Sequence, residues 1–107
     1  MKRAKVRTDY LGTARNLLDV ALHPTPALDR ETSLGVAAAA IESELREIAP
    51  PGRPAESTPL LRAVSAAYAR VLSLLGGPKV RIAEPRPDAI RRAIRLVDSA
   101  LAARGAA

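Results

Sequence analysis

Arginine side chains are the groups in this sequence whose spacing most clearly suggests a binding site. Arg91, Arg92 and Arg95 stand at positions i, i+1 and i+4, which predicts that they share one helical face. Guanidinium groups form paired hydrogen bonds with phosphates and carboxylates, so this face is a candidate contact for an anion or a nucleic acid. The other interpretation is a solvated outer surface. We favour it, because a chain with 14 Arg and 3 Lys uses Arg wherever a cation is needed.

The first residues form a second basic cluster. It consists of Lys2, Arg3, Lys5 and Arg7, which could follow a phosphate backbone or enter a minor groove. The alternative, which we favour, is a flexible terminal arm in solvent. No apolar stretch follows these residues, so we expect no secretory signal here.

The densest carboxylates are Glu42, Glu44 and Glu47. Glu44 and Glu47 lie one helical turn apart and could bind a hard cation or act as acid and base. No Glu-x-x-His motif accompanies them, and their helical phase is outward or lateral, so we expect a solvated surface. The one His, His23, stands where a first helix would end, and a structural role fits it best. We therefore predict no catalytic, metal-binding or cofactor-binding residues.

Composition excludes several classes of site. With no Cys, the chain offers no disulfide, thiol nucleophile or Cys-based zinc site. Two Tyr without Trp or Phe exclude an aromatic platform for single-stranded nucleic acid. The net charge of +6 is concentrated at the two ends, while residues 8–60 are acidic. The longest apolar run, residues 36–41, is far too short to cross a membrane, and we expect a cytoplasmic protein.

Four amphipathic segments separated by Pro and Gly must position these groups. Thr58 and Pro59 predict a capping residue and a first helical residue, and Thr8 is predicted to cap the first helix. The first, third and fourth predicted helices span about 8–22, 59–75 and about 88–104. The second begins between residues 29 and 32 and ends at residue 49.

These segments predict an all-α, antiparallel four-helix bundle. It would form one domain over residues 8–105, with a basic arm at 1–7, a tail at 106–107 and room for a short extended piece at 79–84. The apolar stripes are rich in Ala, so the core is thin and would gain from dimerisation. Val20 and Val36 fall outside their helices' stripes, at phases that predict exposure, and are candidate interface residues.

Four sets of residues follow one another in a characteristic order along residues 13–101. They are Thr13-Ala14-Arg15-Asn16-Leu17-Leu18, Leu45-Arg46-Glu47-Ile48-Ala49-Pro50, Arg62 with Ala69-Arg70 and Leu74, and Ala93 with Leu96-Val97 and Ala100-Leu101. This order resembles a group of small uncharacterised helical proteins of actinobacteria associated with natural-product biosynthesis. Where that group has Leu-Arg-Gly-His, this chain has Leu45-Arg46-Glu47-Ile48. The resemblance implies no established activity, so no site residues follow from it.

The polar groups do not converge on a recognisable reaction centre, which predicts a non-enzymatic protein. We expect it to bind or assemble through its helix faces, with a protein partner or a second copy in a homodimer. The alternative is a nucleic-acid-associated protein that uses the basic arm and the Arg-rich last helix. A membrane partner is not expected.

Overall fold

The computed structural model describes residues 9–52, 57–76 and 86–105. Helices make up 82% of these residues, and none of them is in a strand, which confirms the predicted all-α class. The basic arm, the tail and the extended piece predicted at residues 79–84 lie outside the described residues. The four helices are α1 (Tyr10–Leu22), α2 (Arg30–Ile48), α3 (Pro59–Leu75) and α4 (Arg86–Gly105).

Three of the helices begin at a side chain that caps the first turn. Asp29 accepts a hydrogen bond of 2.7 Å from the backbone N–H of Thr32, and Thr58 accepts one of 3.1 Å from Leu61. Such caps satisfy N–H groups that have no partner within the helix. Pro59 follows its cap directly, as predicted, where a missing N–H costs nothing.

Two helix starts differ from the prediction. The cap of α1 is Asp9 and not Thr8, which lies outside the described residues. Gly12 permits this arrangement, because a Cβ at that position would collide with the Asp9 carboxylate. Helix α4 begins at Arg86, two residues before the predicted start, because Pro87 falls in the first turn, where no N–H is needed.

Ion pairs between helices establish the antiparallel arrangement. Helix α1 packs against α2 and α4, and α3 packs against the same two helices. At one end of the bundle, Arg104 from the end of α4 contacts Asp9 at the start of α1, at 2.9 Å. At the other end, Arg86 and Glu31, from the starts of α4 and α2, are 2.9 Å apart. Neighbouring helices therefore run in opposite directions, and α2 and α4 run in the same direction on one diagonal.

The core is built mainly from aliphatic residues with small side chains. Of its nineteen buried apolar residues, nine are Ala, which lets the helices approach closely but buries little area per residue. Two leucines of α3 differ sharply in burial. Leu72 is 45% exposed, whereas Leu74 is fully buried. The apolar arc of α3 is wider than its two neighbours can cover.

Among the described helices, none combines the length and the apolarity needed to cross a bilayer.

Candidate charged groove between α1 and α4

An open groove of about 460 Å³ lies between α1 and α4. Because the two helices are antiparallel, the second half of α1 faces the first half of α4. The groove is lined by six residues, three from each helix: Arg15, Asp19, Leu22, Arg91, Ile94 and Arg95.

The floor of this groove is apolar and its rim is charged. Ile94 is only 8% exposed and belongs to the core, and Leu22 packs against that core while remaining partly accessible. Three guanidinium groups and one carboxylate stand around this floor. An apolar centre within a polar rim is the usual anatomy of a protein-binding surface.

Two of the rim arginines already have carboxylate partners. The Arg15 Nε donates to Asp98 Oδ1 at 3.1 Å, and Arg91 Nη1 donates to Asp88 Oδ1 at 3.1 Å. All four side chains are partly or largely exposed to water. Such pairs add little to stability, so they can exchange for a partner's groups at low cost.

The other two charged groups of the rim are less engaged. Within the described part of the chain, no carboxylate lies at ion-pair distance from the Arg95 guanidinium. The Asp19 carboxylate has one ion-pair contact there, at 3.9 Å from Arg15 Nη1, and its side chain is 62% exposed. The groove thus presents one cation and one carboxylate that are not paired with each other.

The three arginines that the sequence placed on one face are all exposed on α4, and two of them border the groove. Arg91 and Arg95 line the groove, and Arg92 does not. At about 100° per residue, Arg92 points about 60° away from Arg95 and about 160° away from Ile94, so its side chain lies beside the groove and outside its lining. The basic residues Lys2, Arg3, Lys5 and Arg7 lie outside the described residues.

Sequence patterns did not identify Arg15 and Asp19 as members of this site. They stand one turn apart on α1, which is a detectable signal for a pair on one face. Which helix lies beside that face depends on the packing order of the bundle, and no local pattern contains that information.

The two predicted interface residues lie away from the groove. Val36 is 47% exposed, as its helical phase predicts. Val20 is half-buried, which corrects the prediction that it is exposed. It follows Leu17 by three residues on a flank of α1, and Leu17 packs against the core.

Glu44 corrects the prediction for the acidic cluster, because it is buried with 1% of its surface exposed. Its Oε1 lies 3.9 Å from Arg104 Nη1, the same nitrogen that donates to Asp9 Oδ1 at 2.9 Å. Hydrogen bonds from the Gly12 N–H and from Arg104 hold the pKa of Asp9 below its ordinary value. Glu44 therefore belongs to a cluster that joins the ends of α2 and α4 to the start of α1.

The remaining titratable candidates do not converge. Glu42 is paired with Arg46 on the surface at 2.7 Å, and Glu47 is exposed. His23 is exposed and forms the C-terminal cap of α1, at the position the sequence predicts. Over residues 9–52, 57–76 and 86–105, no three His, Asp or Glu side chains are placed to hold a metal ion together.

Comparisons of the chain with protein-family models, with curated proteins and with solved structures found no match. The resemblance to the actinobacterial group therefore stays a prediction.

Proposed function

We propose that this chain is a non-enzymatic interaction protein that binds a protein partner through the groove between α1 and α4. The observation that supports this proposal is the charge pattern of the groove. Arg95 has no carboxylate partner among the described residues, and it lines the same groove as Asp19, over the apolar floor of Leu22 and Ile94.

The carboxylates around the groove argue against a phosphate backbone as its ligand. Asp19 lines the groove, and Asp88 and Asp98 are bound to two of its three arginines. A surface that binds duplex DNA gains its affinity from cations that displace counterions from phosphates, and adjacent carboxylates repel those phosphates. A protein surface contains both signs of charge and apolar side chains, so it can satisfy all parts of the groove.

A photoreactive amino acid at a groove position tests this proposal in cells that make the protein. We choose position 91, because Arg91 is already paired with Asp88 within the chain. The matched control carries the same group at Ser65, an exposed position on α3. We expect the group at position 91 to form covalent adducts with a protein. The group at position 65 should not form the same adducts. Adducts with nucleic acid alone, or the same yield from both positions, would contradict the proposal.

A further inference from the structure

Arg95 and Asp19 carry opposite charges and line the same groove. Both lie within the described residues, and they do not form an ion pair with each other. An acidic partner would satisfy Arg95 but would be repelled by Asp19. A basic partner would satisfy Asp19 but would be repelled by Arg95. The groove therefore calls for a partner that brings one charge of each sign at the matching positions.

We infer that the partner is a second copy of this chain, bound through the same groove. This inference rests on the proposed function, because it names the occupant of that site. In a symmetric dimer the same patch is used on both copies, so every contact between two different residues is made twice. One pair of residues, Arg95 and the second copy's Asp19, would then place all four charges in ion pairs.

The register between α1 and α4 supports this pairing. The contact of Arg15 with Asp98 fixes which residues lie level with each other across the groove. Four residues further along α1 is Asp19, and four residues back along the antiparallel α4 is Ile94, the neighbour of Arg95. Asp19 and Arg95 are therefore at nearly the same height on opposite sides of the groove.

A two-fold axis along the groove, parallel to both helices, uses this register. Rotation about that axis places α1 of each copy opposite α4 of the other copy. The position of every residue along the axis stays unchanged. Asp19 of each copy then faces Arg95 of the other copy. The floors formed by Leu22 and Ile94 of the two copies then face each other across the axis, and the paired rims shield the accessible part of Leu22 from water.

The Ala-rich core provides a second reason for self-association. Nine of nineteen buried apolar residues are Ala, so one copy buries little apolar area for its length. Small domains with thin cores are often stabilised by oligomerisation.

Sedimentation of the full chain from low to high micromolar concentration tests the inference through a charge exchange. We expect the wild type to dimerise, and Arg95→Asp or Asp19→Arg to weaken dimerisation at least about ten-fold, because each change creates two like-charge contacts by symmetry. The double variant Asp19→Arg, Arg95→Asp should return to within about three-fold of the wild type, since the ion pairs are restored with reversed direction.

Arg46→Asp is the matched control, because it makes the same charge change on α2, at an exposed residue outside the groove. It should leave the dissociation constant unchanged, and circular dichroism should show that every variant is folded. A wild type that is monomeric at high micromolar concentration would overturn the dimer. The crosslinking at position 91 would then still test the proposed function, because it detects any protein bound in the groove. A dimer that does not respond to changes at positions 19 and 95 would overturn this choice of surface.

Discussion

Arg104, in the last turn of α4, donates a hydrogen bond of 2.9 Å to Asp9, the residue that caps α1. The same nitrogen lies 3.9 Å from the buried carboxylate of Glu44 on α2. One guanidinium thus joins three helices at one end of the bundle. A residue with two acidic neighbours, one of them buried, is a strong candidate for a measurable contribution to stability.

We predict that Arg104→Ala lowers the free energy of unfolding by about 1.5–3 kcal/mol, the range for hydrogen bonds to charged groups. The matched control is Arg46→Ala, which removes an exposed pair with Glu42 at 2.7 Å. Pairs of that kind within one helix contribute about 0.5 kcal/mol or less. Urea denaturation measures both variants. Equal losses for the two would show that Arg104 has no special role.

The pH dependence of stability should report the helix caps. Hydrogen bonding by the backbone N–H and then by the side chain of Thr32 holds the pKa of Asp29 below its ordinary value of 3.8. A carboxylate whose pKa is lowered by folding stabilises the protein above the ordinary value, and this contribution is lost as the pH falls below it.

We therefore expect thermal stability to decline as the pH falls from about 5 towards 3, the window set by ordinary carboxyl pKa values. Asp29→Ser keeps a side-chain oxygen for the cap but cannot titrate in this range. It should stay close to the wild type at neutral pH and make the acidic decline less steep. An unchanged decline in this variant would exclude Asp29 as one of the groups responsible.

Two leucines in α3 provide a direct test of how the helix is rotated. Leu74 is fully buried and Leu72 is 45% exposed, although the two are of one type and lie two residues apart. We predict that Leu74→Ala costs about 2–5 kcal/mol, because it leaves a cavity in the core. Leu72→Ala should cost less than about 1 kcal/mol, as is usual for surface positions. Chemical denaturation of both variants gives the answer, and the reverse order of losses would mean that α3 is rotated otherwise.

Duplex DNA distinguishes the proposed interaction protein from its alternative. We expect no measurable binding to a labelled duplex near physiological salt by fluorescence anisotropy. Any binding that does occur should be unaffected when Arg91, Arg92 and Arg95 are replaced by Ala. If all three engaged phosphates, the replacement would reduce the slope of affinity against salt by roughly 2–3, since each phosphate contributes about 0.9. A steep salt dependence that disappears in the triple variant would favour the nucleic-acid function.

Local signals in the sequence predict the four helices to within about two residues at their starts and do not predict the groove. The cap at Thr58 and the Pro at 59 predicted the start of α3, because capping depends on residues within one turn. The burial of Glu44 could not be predicted in that way. The environment of Glu44 depends on how the helices are arranged in the bundle. The end of α4 lies near the end of α2 there, so Arg104 comes within 3.9 Å of the Glu44 carboxylate.

The same distinction explains the arginines. Spacing alone placed Arg92 beside Arg91, because both belong to one turn of α4. Of these two, only Arg91 borders the groove, since α1 packs along one flank of α4 and forms the groove there. Asp19 lines the groove because α1 packs against α4, although Asp19 is far from α4 in sequence.

The contact between Arg104 and Asp9 places the two outer ends of the helical unit side by side. In topological terms, the four helices form a ring of neighbours, because α4 packs against α1 just as α1 packs against α2. A ring has no preferred starting point. A circularly permuted chain, with a short linker from residue 105 to residue 9 and new ends in the exposed turn at Pro51 and Gly52, would preserve every pair of neighbouring helices.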